Sequence, residues 1–159
     1  MIFVTTGTQE PFDRLIKAID EIAPMLSGDT IIAQATLQTY SVLNIKIFDF
    51  INPSKFNDLF KQADLIVSHA GMGTIISALQ IEKPIIIMPR LLKYGEHRNG
   101  HQLATAKKFK ELNYLHVADN EKELQQILLN TTREKLTSMH KLGTFASESL
   151  INSLSNYIK

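Results

Sequence analysis

The chain has 159 residues, of which 44% are hydrophobic, 21% charged and 8% aromatic. This length suits one compact domain and excludes a two-domain enzyme of ordinary proportions. The 17 basic and 16 acidic residues nearly cancel, so no overall field points to a nucleic-acid partner. There is no cysteine, which excludes disulfides, thiolate zinc sites and cysteine nucleophiles. We expect no secretory leader, because no basic stretch precedes the first apolar run, and no membrane span, because the apolar runs are too short.

Short β-branched runs alternate with amphipathic segments along the whole chain. They predict strands at residues 2–6, 31–36, 45–51, 65–68, 84–88 and 115–118. Helices are predicted over residues 12–22, 52–62, 75–81, 101–112 and 120–129, followed by a helical tail over 132–158. Strands that alternate with helices indicate βαβ units. The sequence therefore predicts one α/β domain over residues 1–159, a doubly wound, Rossmann-like parallel sheet with helices on both faces.

Three polar stretches follow predicted strands. They are Thr5–Thr8 after the first strand, Ser68–Thr74 after the fourth and Arg90–Gln102 after the fifth. In an open parallel sheet, ligands bind beyond the carboxyl ends of the strands. These stretches can therefore converge on one site although they are far apart in sequence.

The middle stretch is typical of a phosphate site. Gly71 and Gly73 allow a close backbone approach or a positive φ, and the helix that follows offers unpaired N–H groups. Thr74 adds a hydroxyl, and His69 is a titratable side chain at the end of a buried strand. The alternative is a tight turn capped by Thr74, with His69 as a hydrogen-bonded structural residue.

The third stretch concentrates charged and amide side chains that suit a hydroxyl-rich anionic ligand, with a solvated loop as the alternative. The candidates in it are Arg90, Glu96, His97, Asn99 and Gln102. His97 and His101 have the spacing of a metal pair, but no HExxH order or further ligand accompanies them. We therefore expect no metal and no cofactor.

Four ordered segments carry a resemblance to a known family. They are VTTGTQEPFDRL, ADLIVSHAGMGTIISAL, KPIIIMPR and GEHRNGHQLATAKKF. Together they resemble the donor-binding half of GT-B glycosyltransferases, the family 28 C-terminal domain. Within that family the chain resembles the stand-alone donor subunit of bacterial exopolysaccharide and capsule transferases. It also resembles the eukaryotic donor subunit of a split UDP-N-acetylglucosamine transferase.

The resemblance implies roles for individual residues. Gly7 and Thr8 would lie near the diphosphate, and the phosphate-binding turn would consist of His69, Gly71, Met72, Gly73 and Thr74. Glu96, His97, Asn99 and Gln102 would face the donor sugar, and Arg90 would balance the leaving diphosphate. His69 is the one candidate for a catalytic group in this chain.

The sequence departs from the family pattern at three positions. His101 replaces an acidic residue and Thr105 replaces an asparagine in the segment that contacts the sugar. Ser77 stands where relatives often carry a glutamate for the ribose hydroxyls. The first two departures concern the choice of sugar, and the third concerns the choice of nucleoside.

GT-B enzymes place donor and acceptor in two domains, and this length accommodates only the donor half. The resemblance therefore implies a two-component inverting transferase that uses a UDP-sugar of the N-acetylglucosamine, glucose or galactose class. A membrane-anchored subunit would bring a lipid-linked acceptor and the general base. The chain itself is expected in the cytoplasm, at the inner face of the membrane, and it could form a homodimer when isolated.

Two functions of other classes stay open. One is a non-catalytic nucleotide-binding or regulatory subunit. The other is a UDP-sugar 2-epimerase-like protein, which length disfavours because that enzyme needs both halves of the fold. An NAD dehydrogenase is weaker still, because the first turn lacks the fingerprint glycines.

Overall fold

A six-stranded parallel sheet forms the centre of the molecule. The computed structural model describes residues 1–26, 28–131 and 136–141. Its strands are β1 (Ile2–Thr5), β2 (Ile31–Gln34), β3 (Lys46–Phe48), β4 (Leu65–His69), β5 (Ile85–Met88) and β6 (His116–Val117). They lie in the order β3-β2-β1-β4-β5-β6, and every pair is parallel. The winding direction reverses between β1 and β4, so the predicted doubly wound sheet is confirmed and its binding crevice lies beyond these two strands.

Helices cover both faces of this sheet. They are α1 (Asp13–Ile22), α2 (Pro53–Gln62), α3 (Met72–Gln80), α4 (His101–Leu112) and α5 (Glu121–Thr131), with short 3₁₀ turns at Ala23–Met25 and Leu92–Tyr94. One core cluster joins α1 and α5 to one face, where Val4 and Val67 point. The other joins α2, α3 and α4 to the opposite face, where Phe3 and Ile66 point. Successive side chains of a strand point to opposite faces of the sheet. The continuous apolar runs of these strands therefore give both faces an apolar surface for the helices to cover.

The central helix α1 shows how the sequence produces this packing. Leu15, Ile16 and Ile19 recur at helical spacing, and all three are fully buried against the sheet. Burying such side chains contributes roughly 1.5–3 kcal/mol each relative to exposure. The spacing of apolar residues therefore fixes which side of α1 faces the sheet.

The predicted elements differ from the structure mainly at their ends. The strand predicted over 45–51 ends at Phe48, because the Ile51 N–H donates to Gln34 Oε1 (3.0 Å) instead of extending the ladder. Most of the predicted helical tail over 132–158 lies outside the described residues. Residues 136–141 are described and are not helical. There the Ser138 hydroxyl donates to the His140 carbonyl, and the His140 ring stacks on Tyr114 at 3.7 Å.

Candidate functional site

An open polar cavity of about 320 Å³ lies beyond the carboxyl ends of β1 and β4. It is lined by Thr6, Gly7, Thr8, Gln9, Glu10, His69, Arg90, His97 and Gln102. The lining comes from the last residue of β4 and from the segments that follow β1 and β5, so each of the three predicted stretches contributes to it. The cavity therefore occupies the topological switch point, where ligands of open α/β sheets bind.

His69 lies between two glycines at the end of β4. A Cβ atom added to Gly7 would lie 3.4 Å from the His69 Cε1 atom, and one added to Gly71 would overlap its Nε2 atom. Gly7 has a φ of +76°, whereas Gly71 has a φ of −93° that any residue can adopt. Gly71 is thus required for the space it leaves to the imidazole, and the positive φ that the sequence analysis allowed for is wrong there.

The imidazole of His69 is neutral at neutral pH. Burial, and to a lesser extent the nearby positive charge of Arg90, lower the pKa of His69 to about 4, although a backbone hydrogen bond with Thr5 opposes them. The Nδ1 atom lies 3.4 Å from the Ser68 hydroxyl. A neutral imidazole can donate one hydrogen bond to an anion, but a group with so low a pKa is a weak general base.

Arg90 places a buried positive charge at the cavity. Only 4% of its surface is exposed, and its Nη2 atom donates to the carbonyl oxygens of Thr6 (2.9 Å) and Glu10. Its guanidinium carbon lies 5.0 Å from the centre of the Phe12 ring. Burial lowers the pKa of Arg90, while the charges of Glu10 and Glu96 oppose this effect.

Two buried polar atoms at this site have no hydrogen-bond partner among the described residues. They are Arg90 Nε and the hydroxyl oxygen of Thr6. Most buried polar atoms in folded proteins have a hydrogen-bond partner, so these two unpartnered atoms are exceptional. The partners of the guanidinium are uncharged carbonyls and an aromatic ring, and its charge is therefore available to an anionic ligand.

The segment after β5 brings two of the predicted sugar contacts to the cavity. The Gln102 Oε1 atom accepts from the Arg90 backbone N–H (3.1 Å), which leaves the side-chain NH₂ group for a ligand. The His97 Nδ1 atom accepts from the Asn99 N–H at 3.3 Å, so its proton is on Nε2. Internal bonds thus fix which atoms of Gln102 and His97 a ligand can reach.

Two other predicted sugar contacts do not line this cavity. Asn99 is exposed, and its Oδ1 atom accepts from the His101 N–H at 3.2 Å. Glu96 lines a second cavity of about 280 Å³ with Arg14 and Tyr94. Its carboxylate is paired with Arg14. The composition of a polar loop could not predict this pairing.

The start of α3 lies beside His69 but outside the cavity lining. Gly71 provides no side-chain cap, and the first bond of the helix runs from the Ile75 N–H to the Gly71 carbonyl (3.2 Å). A Cβ on Gly73 would meet nothing within 4 Å, so a ligand can approach its backbone closely. Met72 is 47% exposed and Thr74 is partly buried. This geometry is typical of an anion seat.

Sequence reasoning missed some residues of the site. Gln9 and Glu10 line the cavity, and the only available signal was their position just after Gly7. Arg14 was missed because a cation on an amphipathic helix has the pattern of a solvated residue.

The described residues contain no group of three or more His, Asp or Glu side chains that could hold a metal ion. None of their helices has the length and apolar character needed to cross a membrane.

Comparisons with known proteins agree on one family. The family model described as "Glycosyltransferase family 28 C-terminal domain" matches residues 1–154. The UDP-N-acetylglucosamine transferase subunit ALG13 of Candida albicans is 36% identical over 92 residues, which are 58% of this chain and 30% of that protein. A UDP-N-acetylglucosamine–N-acetylmuramyl-(pentapeptide) pyrophosphoryl-undecaprenol N-acetylglucosamine transferase of Oceanobacillus iheyensis is 29% identical over 115 residues, 70% of this chain and 31% of that enzyme. The chain thus spans about a third of the length of these curated relatives.

Solved structures support the fold. The NMR structure of ALG13 has a TM-score of 0.57 and 23% identity, covering 96% of this chain and 93% of that one. The crystal structure of Acinetobacter baumannii MurG has a TM-score of 0.54 and 18% identity, covering 98% of this chain and 51% of that one. At these identities the likeness concerns the architecture alone, one half of a GT-B fold.

Proposed function

The chain belongs to the glycosyltransferase family 28 C-terminal domain family, and from this membership we propose that it is the donor-binding subunit of a two-component inverting glycosyltransferase. Its donor is a UDP-sugar of the N-acetylglucosamine, glucose or galactose class. The relatives named above transfer N-acetylglucosamine, which makes that sugar the first to test.

The observation that carries this proposal is the buried charge of Arg90 at the switch-point cavity. A diphosphate is the anionic part of a UDP-sugar. Arg90, which lines the cavity, balances its charge, while the start of α3 beside the cavity supplies N–H groups. The neutral His69 ring adds one N–H donor. Gln102 and His97 line the same cavity and suit sugar hydroxyls.

The reaction is a direct displacement at the anomeric carbon. The acceptor hydroxyl oxygen forms a bond to this carbon while the bond to the diphosphate oxygen breaks, and UDP leaves with the electron pair. The proton of the hydroxyl goes to a base on the partner, since His69 has too low a pKa to accept it readily near pH 7. Arg90 and the α3 N-terminus stabilise the charge that develops on the leaving oxygen.

The partner is a membrane-anchored subunit that presents a lipid-linked acceptor. The relatives named as transferase subunits support this division of labour. The chain then works in the cytoplasm at the inner face of the membrane, in the synthesis of a polysaccharide such as an exopolysaccharide or capsule. It requires no metal or other cofactor.

Calorimetric titration of the purified chain with UDP, ADP and NAD tests the proposed ligand. We expect selective UDP binding by the wild-type chain and at least a tenfold weaker affinity in Arg90→Met, because a hydrogen bond to a charged group contributes about 1.5–3 kcal/mol. Arg98→Met is the matched control, since Arg98 is 92% exposed. Binding of ADP or NAD in place of UDP would contradict the assignment.

Reconstitution distinguishes the catalytic subunit from a regulatory one. A membrane fraction that contains the candidate partner is mixed with the chain, and transfer of radiolabelled sugar from the UDP-sugar to lipid is followed. Transfer only when both components are present supports the proposal. Equal transfer by the partner alone would assign the chain to the non-catalytic class.

A further inference from the structure

Arg14 on α1 forms a buried network outside the cavity. Its Nε and Nη2 atoms donate to the two carboxylate oxygens of Glu96, both at 2.8 Å. Its Nη2 atom also donates to the Pro89 carbonyl at 2.9 Å, and its Nη1 atom donates to Glu121 Oε2 on α5 at 3.2 Å. The Tyr94 ring lies 5.0 Å from the guanidinium carbon.

This network differs from an ordinary surface ion pair. The Arg14 and Glu96 side chains are only 12% and 11% exposed, and their fork-to-fork geometry is the strong form of this interaction. An exposed pair, by contrast, contributes little because water and salt screen it. Arg14 is therefore a fixed point to which other parts of the chain are attached.

Glu96 transmits this fixed position to the segment after β5. While it is bound to Arg14, its Oε2 atom also accepts from the Leu91 backbone N–H at 2.9 Å. Arg14 holds the Pro89 carbonyl directly, so the start of the segment and its end at Glu96 are tied to one side chain. His97 follows immediately and lines the cavity.

We propose that Arg14 is a positioning residue for recognition of the donor sugar, and that Glu96 acts through this pairing and does not contact the sugar. Arg14 and Glu96 fix residues 89–96, so that His97 and Gln102 face the sugar in the required place. The proposal rests on the proposed function. The nucleotide half of the donor is held by Arg90 and α3. Arg90 belongs to the fixed segment, but its guanidinium is held separately, by its own bonds to the Thr6 and Glu10 carbonyls.

Calorimetry with UDP and with UDP-sugars tests this role. Wild type is first titrated with UDP-N-acetylglucosamine, UDP-glucose and UDP-galactose to select the tightest donor. In Arg14→Met we expect the affinity for that donor to fall about tenfold and the affinity for UDP to change less than twofold. Lys17→Met is the matched control, because Lys17 is a 57% exposed cation on the same helix, and both of its affinities should stay unchanged.

Two conservative variants test the role without a risk to folding. Arg14→Lys keeps the charge but loses the bidentate fork, and Glu96→Gln keeps the shape but loses the charge. Both variants should lower the affinity for the donor selectively, to a similar degree and by less than Arg14→Met does. Equal losses for UDP and donor, or no loss in any Arg14 variant, would overturn the proposal. A donor-specific loss in Glu96→Gln alone would instead assign Glu96 as a direct sugar contact.

Amide hydrogen exchange separates failure of this inference from failure of the proposed function. The Leu91 N–H should exchange at least tenfold faster in Arg14→Met than in Lys17→Met, because its acceptor is released. An unchanged exchange rate would refute the positioning role whatever the chain binds. Faster exchange in a chain that binds no UDP-sugar would support the positioning of the segment by Arg14 and Glu96 and would refute the donor-binding function.

Discussion

Two buried charged groups each hold a loop in place, and their hydrogen bonding is opposite. Asp20 is fully buried, and its carboxylate accepts four hydrogen bonds of 2.7–3.1 Å from the loop after β2, namely from the Tyr40 hydroxyl and the N–H groups of Leu43, Asn44 and Ile45. Arg90 is nearly as buried, but its guanidinium has only neutral hydrogen-bond partners, and no described residue pairs with its Nε atom.

The difference distinguishes a buried charge that stabilises the fold from one that can bind a ligand. A buried charge that is fully hydrogen-bonded stabilises the loop that supplies the donors, and nothing is left for a ligand. A buried charge that forms no hydrogen-bonded ion pair is costly in the free protein, and an anionic ligand can offset that cost. We therefore expect changes near Asp20 to alter stability and changes near Arg90 to alter affinity.

Asp20→Ala should give the largest effect on this comparison. The substitution leaves the Tyr40 hydroxyl and three N–H groups without their acceptor, and we expect the free energy of unfolding to fall by about 3–5 kcal/mol. Urea unfolding followed by circular dichroism measures this loss. Asp58→Ala is the control, because Asp58 is exposed on α2, and it should change stability by less than about 0.5 kcal/mol. A loss below about 1 kcal/mol would show that the carboxylate does not hold the loop.

Stability should depend on pH through His69. The pKa of His69 is about 4 in the folded chain, mainly through burial, against an ordinary value of 6.5. Between these two pH values His69 is protonated in the unfolded chain but not in the folded chain. Its contribution to the free energy of unfolding is therefore fully present above pH 6.5 and is lost as the pH falls towards 4. Wild type should lose about 2 kcal/mol more than His69→Gln between pH 7 and pH 4.5.

Urea unfolding at a series of pH values measures this difference. His116, whose pKa burial also lowers, contributes equally to both proteins and does not affect the comparison. Backbone hydrogen bonds lower the pKa of Asp13 and Asp20 below 3.8 although burial opposes them. Both proteins should therefore lose stability again below about pH 4. Parallel curves above pH 4 would mean that His69 is not held neutral.

Gly71→Ala should have the smallest energetic effect and the most specific one. The new methyl group occupies the space of His69 Nε2, and the backbone at φ −93° tolerates it. We expect the imidazole to move and UDP affinity to fall about tenfold, or about 1.4 kcal/mol. Calorimetry measures this change, and Gly100→Ala is the control, because a Cβ there meets nothing within 4 Å. Wild-type affinity in Gly71→Ala would remove His69 from the site.

Most of the fold could be predicted from the sequence, because the alternation of β-branched runs and amphipathic segments directly reflects a buried parallel sheet. The limits of β3 could not be predicted. They depend on a bond between the Ile51 N–H and a Gln34 side chain, and these residues are 17 positions apart. Local patterns contain no information about such a pairing.

The candidate site could be predicted in part. Gly7, His69 and Arg90 follow strands, so topology alone brings them to one edge. Glu96 was indistinguishable from its polar neighbours, because its pairing with Arg14 spans 82 positions. Composition shows which side chains could bind a ligand, but only the fold shows which of them are already bound to the protein.

The contact between Arg90 and the Thr6 carbonyl also bears on the order of folding. It joins positions 84 residues apart, and β2, β3, β4 and β5 lie between them in the sequence. Contacts at such separation form late, because a long loop must close before they are made. The cavity is thus complete only when β1, β4 and β5 are in place, and a nucleotide that binds there would select the folded chain over forms in which these strands are not assembled.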